Sequence, residues 1–290
     1  MDTNEIKSLE QARREFSTKI KCEEHLKRLR WPNGVTCPQC GNTHNYWLKN
    51  QRLWECSGCK HHFSVTSGTI FHRSKIDLPR WFVAVWAMCH SPKGISAKQL
   101  ERELGVCYET AWYMAKRIRR AMKHDIFENK LCGIVEADVA VIKTDGGQST
   151  RQGHDAPSTN VLGMASRDSG ALRMQIVQNL KAHEIERVCQ ANFGDVRRIY
   201  TDASWSFNRL WRYGAQFQVV HAREYTDGDV NTNYVENAWS LFKRGLVGMY
   251  HHVSAKLLQD YLDEFAFRYS HRREKGRMMD LVLSACGDAA

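Results

Sequence analysis

Gly133-Ile-Val-Glu-Ala-Asp-Val-Ala-Val-Ile142 is an apolar run with two acids set into it, and how those acids are explained decides the fold. β-branched residues at this density predict a buried strand. A carboxylate in such a strand costs on the order of several kcal/mol to desolvate unless it is paired or binds a metal. Glu136 and Asp138 lie two positions apart and so share one face. Asp202 closes a second apolar segment, Arg198-Ile-Tyr-Thr-Asp202. Glu236 opens a helical stretch within Asn231-Thr-Asn-Tyr-Val-Glu-Asn-Ala-Trp-Ser-Leu-Phe-Lys-Arg244. Two strand-borne aspartates and a helix-borne glutamate form a hard-oxygen donor set for a divalent cation. Asn233, Glu236, Ser240 and Lys243 follow three- and four-residue steps, which puts an acid and a phosphate-binding cation on one helical stripe.

Singly, each acid has a plainer reading: Asp138 as a hydrogen-bonded strand acid, Asp202 as the cap of a helix starting near Ser204, Glu236 as a surface partner of Lys243. Jointly those readings weaken, because three accidents would have to fall in order on the right elements. Working outward, the periodicity predicts strands at 132–142, 160–166, 171–177, 197–201 and 217–220. Helices are predicted at 183–191 and 204–211, and a Gly/Ser/Asp-rich loop starts at Asp145. Three consecutive strands followed by alternating helices and strands are the order of an RNase H-like mixed sheet. There the centre of the first strand and the end of the fourth lie side by side. A further amphipathic helix, Ser254 to Tyr269, is expected to pack on this core.

The 290 residues carry a net charge of +10, and the excess is confined to one half. Residues 1–130 hold 23 Lys and Arg against 13 Asp and Glu, whereas residues 131–290 hold 19 against 19. A basic first half beside a neutral second half predicts that the first part holds a polyanion. The longest apolar stretch, Trp81 to Cys89, falls well short of the ~20 residues that span a bilayer. The N-terminus lacks the apolar core of a signal peptide, so a cytoplasmic protein with no membrane association is expected.

Cys37-Pro-Gln-Cys40, fifteen intervening residues and Cys56-Ser-Gly-Cys59 have the spacing of a tetrahedral four-thiolate zinc site. Four thiolates leave no open coordination position, so this zinc is structural. The stretch between, Tyr46-Trp-Leu and Arg52-Leu-Trp, predicts a short hairpin. His44, His61 and His62 lie near as alternative ligands or phosphate contacts. A buried helix is predicted from Leu78 to Met88. Two amphipathic helices follow: one from a Ser96 cap through Leu100 and Leu104, the other from Tyr108 to Met122, joined at Gly105. Two helices around a glycine turn read as a helix-turn-helix, with Tyr108, Tyr113, Lys116, Arg117 and Arg120 as DNA-facing candidates. An ordinary helical hairpin with a solvated basic face is the alternative. The expected fold class is therefore α/β multi-domain, with an N-terminal helical segment (1–30), a zinc ribbon (31–70), a helix-turn-helix (75–125), an RNase H-like catalytic domain (131–273) and a C-terminal tail (274–290).

Several motifs taken together are more specific. Trp31-Pro-Asn-Gly-Val-Thr-Cys-Pro-Gln-Cys-Gly41, Ser67-Gly-Thr-Ile-Phe-His-Arg-Ser74, Ile95-Ser-Ala-Lys-Gln-Leu100, Thr110-Ala-Trp112, Asn231-Thr-Asn-Tyr-Val-Glu236, His251-His-Val-Ser254 and Tyr261-Leu-Asp-Glu-Phe-Ala-Phe-Arg-Tyr269 closely resemble bacterial insertion-sequence transposases. The group is the zinc-ribbon type related to the eukaryotic Merlin elements, the IS-fifteen-ninety-five family, and the resemblance spans about residues 20 to 273. It implies DDE-type transposition, with Asp138, Asp202 and Glu236 as the triad and Lys243 as the basic residue seven positions after the third acid. Members carry asparagine as well as glutamate at the third position, which keeps Asn233 and Asn237 open as alternatives. Val139 stands where relatives commonly have Glu, and Gly146-Gly147 comes later than their Gly-Gly.

The resemblance further implies two Mg²⁺ or Mn²⁺ ions, roughly 4 Å apart, serving strand cleavage and then strand transfer. Lys243 and Arg244 would hold a DNA phosphate. Terminal inverted repeats and target DNA are the implied partners, bound by a homodimer or higher oligomer in a bacterial, nucleoid-associated setting.

Overall fold

The computed structural model describes residue 3 and residues 6–128, 130–144, 158–219, 230–251 and 253–285. The Gly/Ser/Asp-rich loop with Gly146-Gly147, and Val220 at the end of an expected strand, lie outside these residues. The chain divides into two units, one made of residues 1–122 and 273–290, the other of residues 123–272.

The first unit opens with α1 (Leu9–Glu15) and α2 (Lys19–Arg30). Ser8 and Thr18 cap them, each hydroxyl accepting from the backbone N–H three residues on. A three-stranded antiparallel sheet follows, β1 (Asn45–Leu48), β2 (Leu53–Cys56) and β3 (His62–Phe63). β1 and β2 are the hairpin expected between the two CxxC turns, whereas β3, two residues long, is too short to leave a periodic signal. Trp54 centres a small aromatic core, with the rings of Trp31, Trp47 and Phe63 at 5.3, 4.4 and 6.0 Å.

α3 (Leu78–His90) is buried at every position from Trp81 to Cys89, and it is apolar all round because helices pack on several sides of it. Ser96 caps α4 (Ala97–Leu104), its hydroxyl accepting from Gln99 N–H. Gly105 ends that helix in the left-handed conformation, φ +62°, which a side chain would disfavour. Then α5 (Tyr108–Glu128) begins, burying Ala111, Met114, Ala115, Ile118 and Met122 on one stripe.

The second unit is built on a five-stranded sheet in the order β6-β5-β4-β7-β8. β4 (Leu131–Lys143), β5 (Ser158–Ser166) and β6 (Leu172–Ile176) form an antiparallel meander; β7 (Phe193–Asp202) and β8 (Ala215–Val219) run parallel to β4. This is the RNase H-like arrangement. α6 (Ala182–Asn192) covers one face, where Leu131, Val135, Ala137, Ile185, Val188 and Ile199 share a core. α7 (Asn233–Gly245) packs on β4 and β5, and α8 (Ala255–Ser270) against β6. The side chains of α8 close the open edge of β6. Gln259 accepts from Ile176 N–H at 3.0 Å and donates to the Met174 carbonyl at 2.9 Å, and Ser270 accepts from Leu172 N–H at 2.9 Å. The chain then returns to the first unit as α9 (Lys275–Ser284), a helix the sequence pattern left as a tail.

Candidate active site and metal centre

The odd-numbered residues of β4 face the α6 core, so Glu136 and Asp138 face the other side of the sheet, toward α7. The parallel register of β4 with β7 pairs Glu136 with Tyr200 and Ala137 with Thr201, which brings Asp202 beside Asp138 at the next step. Burial pushes the Asp138 carboxyl up to about 6, and the charges of Asp202 and Glu236 push it the same way. Val139 N–H, donating to Oδ1 at 2.8 Å, opposes this. So does the indole N–H of Trp239, buried and near enough to favour the charged form though outside hydrogen-bond geometry. Three carboxylates thus share a region of excess negative charge that a cation would relieve.

Asp202 accepts from Ser204 N–H at 3.2 Å through Oδ1, and it is Ser204 that caps the short 3-10 turn Trp205–Phe207. The plainer reading of Asp202 as that helix's own cap is therefore not what the fold shows. Glu236 is exposed on α7, its Oε1 accepting from Thr232 Oγ1 at 2.5 Å. Asn233, Asn237 and Lys243 are exposed on the same helix. Lys243 stands about two turns, roughly 10 Å, beyond Glu236.

Glu136, fully buried, takes a different part. Its Oε2 accepts from Tyr234 and Val235 N–H at 2.8 and 3.0 Å, capping the start of α7, while Oε1 accepts from Arg167 Nε at 2.5 Å. Arg167 also donates to Asn231, reaching its carbonyl at 2.8 Å and its side-chain oxygen at 2.6 Å. Across β5, Gly163 is the cross-strand partner of Asp138. A Cβ there would meet Trp239 at 2.6 Å and Val235 at 2.9 Å, so the glycine lets α7 lie close over the strand. Sequence reasoning found the acids but neither this clamp nor Gly163, since both depend on contacts from distant parts of the chain.

In the first unit Cys37, Cys40, Cys56 and Cys59 bring their sulfurs within 4.8 Å of one another. Cys37 lies 3.7 Å from Cys59 and Cys40 3.5 Å from Cys56. A zinc tetrahedron with 2.3 Å bonds has edges of roughly 3.8 Å, so the set fits that ion. The N–H groups of Cys59 and Gly58 pull the Cys56 thiol down to about 7, while Cys40, against the pull of Asn42 N–H, is pushed up to about 12 by the thiols of Cys59, Cys56 and Cys37. Among the described residues no other group of three or more ligand side chains is drawn this tight, and the three carboxylates stand further apart.

Residues 130–270 match an ISXO2-like transposase domain, and residues 18–62 match a transposase zinc-ribbon domain. The chain belongs to the IS-fifteen-ninety-five (IS1595) transposase family. An uncharacterised protein of transposable element ISH50 from Halobacterium salinarum is 27% identical over 285 residues, covering 90% of this chain and 94% of that protein. A pre-cleavage Mos1 transpososome resembles the chain at 11% identity and a TM-score of 0.29, over 70% of this chain and 78% of the other. The Mos1 strand transfer complex does so at 13% and 0.31, over 71% and 78%. Likeness this loose says nothing of the chemistry here.

In this IS1595-type transposase Tyr108, Tyr113 and Arg120 are exposed along α5, and Lys116 lies half-buried with its Nζ 5.3 Å from the Trp112 ring. Arg117 is a correction. At 4% exposure it cannot face a groove; its Nη1 donates to the His72 carbonyl at 3.3 Å and to Tyr113 Oη at 2.9 Å. The residue lies on the buried stripe one position before Ile118, and only the tertiary fold shows which basic side chains of Lys116–Arg120 turn inward. Arg244 is exposed and donates to the Ser240 carbonyl of its own helix. Among the described residues no helix is long and apolar enough to cross a membrane.

Proposed function

We propose that this transposase cleaves DNA at the terminal inverted repeats of an insertion sequence and joins the freed ends to target DNA, with Asp138, Asp202 and Glu236 as its catalytic acids. The observation that carries the reading is the convergence of the three acids: the β4–β7 register sets Asp202 beside Asp138, and α7, which bears Glu236, packs on β4, close enough that both acids push the buried Asp138 carboxyl upward. A site left with that much unbalanced carboxylate is suited to Mg²⁺ or Mn²⁺. Bound there, divalent ions supply Lewis-acid activation of the attacking oxygen and neutralise charge on the phosphate. Asp138 and Asp202 hold fixed positions on adjacent strands, so they define the site. Glu236 closes it from α7 by leaving Thr232, and Asn233 or Asn237 is the substitute ligand if Glu236 stays. Lys243, with Arg244 beside it, holds a DNA phosphate. In-line displacement needs positioning and charge neutralisation, not a nucleophilic side chain.

The division of labour follows the chain: a zinc ribbon (31–70) with structural Zn²⁺ on the four cysteines and a helix-turn-helix (75–125) bind the repeat, and residues 131–273 do the chemistry. Tyr108, Tyr113, Lys116 and Arg120 are the DNA-facing side chains of α5. The working form is a homodimer or higher oligomer that holds two ends in the bacterial cytoplasm. The test is incubation with DNA carrying the element's ends, Mg²⁺ or Mn²⁺ and a supercoiled target. Nicked ends and joined products are expected, abolished by Asp138→Ala with DNA binding intact. DNA binding with neither product from the unaltered protein would make the chain a DNA-binding regulator instead.

A further inference from the structure

The segment Ser67-Gly-Thr-Ile-Phe-His-Arg-Ser74 supplies neither a zinc ligand nor a catalytic acid, yet it is firmly held. Ile70 and Phe71 are buried, and Phe71 packs edge-on against Trp81 at 5.5 Å. Thr69 Oγ1 donates to the Thr66 carbonyl at 2.8 Å and accepts from Phe71 N–H at 3.1 Å. The two residues that follow this anchor, His72 and Arg73, line a pocket of about 500 Å³. His61 and His62 from the ribbon, Pro38 and Gln39 from the first zinc turn, and Ser67 and Gly68 complete its wall; among the described residues no acidic side chain lines it, though Glu55 stands 3.4 Å from His62 Nε2 behind the wall. Arg73 holds a left-handed backbone, φ +54°, a conformation that costs a non-glycine residue energy and recurs at ligand sites. Among the described residues, neither the Arg73 guanidinium, the His72 imidazole nor the Gly68 N–H has a hydrogen-bond partner.

Arg117 links this pocket to α5. One guanidinium grips the His72 carbonyl in the pocket wall and the hydroxyl of Tyr113, whose ring is 48% exposed. We propose that the pocket seats a phosphate of the DNA backbone, with Arg73 and His72 as donors and Arg117 as the brace that fixes it relative to the exposed face of α5. A guanidinium and a backbone N–H suit a tetrahedral oxyanion. Such a contact positions the duplex without reading its sequence. The inference rests on the reading of this unit as DNA-binding and adds a named phosphate contact to it.

The experiment is a salt titration of the zinc-loaded full chain on a duplex carrying the element's end and on a scrambled duplex. It compares the natural protein with Arg73→Asn, which tolerates the left-handed backbone, and with Arg73→Lys. Arg73→Asn is expected to weaken binding to both duplexes by the same factor and to lower the slope of log K against log salt by about 0.9, the value of one phosphate contact; Arg73→Lys is expected to restore most of that slope. Unaltered affinity and slope in Arg73→Asn would overturn the proposal. So would competition of inorganic phosphate for the pocket with no change in DNA slope, or loss of zinc with normal DNA binding by the zinc-loaded fraction; the last would make Arg73 a counter-charge for the thiolates. No salt-dependent binding by the natural protein would instead sink the DNA-binding reading itself.

Discussion

At Asp138 a carboxyl whose ordinary value is 3.8 titrates near 6, so above that pH the folded protein carries a charge its surroundings disfavour. Asp138→Asn removes that penalty. In the absence of divalent ions it is expected to raise stability at pH 7.5 by about 2–3 kcal/mol, taking 1.36 kcal/mol per pKa unit, measured by urea unfolding. Saturating Mn²⁺ is expected to stabilise the natural protein, by about 2.7 kcal/mol at a hundredfold excess over Kd, and to leave Asp138→Asn unmoved. A cation response that survives in the variant would remove Asp138 from the site.

Asp263 on α8 offers a second titration away from the three acids. It is 2% exposed, and burial pushes it up to about 6 even though Gln259 donates to Oδ1 at 2.7 Å; among the described residues Oδ2 has no partner. Lys123 and Arg173 lower its pKa and Asp260 raises it. A raised acid destabilises the fold once ionised, so its penalty is absent below the ordinary 3.8 and complete above about 6. Asp263→Asn is therefore expected to flatten the fall in stability between pH 4 and 7, with a gain of about 2–3 kcal/mol at pH 7. Parallel stability–pH curves for the two proteins would contradict this.

Among the elements, α7 decides whether the acids meet. Its start is held by Glu136 and Arg167, and its body lies over Gly163. Glu136→Ala would strip the helix of its cap and leave Arg167 without its buried partner, a loss of about 3–5 kcal/mol. Gly163→Ala would press against Trp239 and Val235 and cost about 1–3 kcal/mol. At temperatures where both remain folded, strand cleavage is expected to need more Mn²⁺ for half-maximal rate, because Glu236 rides on this helix. An unchanged metal requirement would mean that α7 contributes nothing to the site.

The strands and most helices were legible because each has its own period. The acids on β4 were legible because a carboxylate in a Val/Ile/Ala strand has no local justification. Glu136 stood out on the same grounds but was left as a spare acid. Its use depends on the N–H groups of residues 98 and 99 positions later.

For the whole molecule, the chain leaves its first unit and comes back to it. Met278, Met279, Val282 and Leu283 of α9 are buried, α3 and α2 pack against the helix, and His25 meets Asp280 at 3.2 Å. Ending the chain at Arg272 is therefore expected to destabilise the first unit, seen as a lower Tm for zinc release, while the transition of residues 123–272 holds its place. A shift of the second unit's transition alone would refute this.

The sequence by itself determined the four-cysteine cluster as candidate zinc ligands, the strand order and the candidate acids, since thiol spacing, alternation and misplaced charge are local signals. Tertiary structure alone decided that Glu136 anchors α7, that Arg117 turns inward, that Gly163 makes room for Trp239 and that the last helix belongs with the first ones. Each of these is a contact between segments far apart in the chain, and no local period encodes which distant partner a side chain will meet.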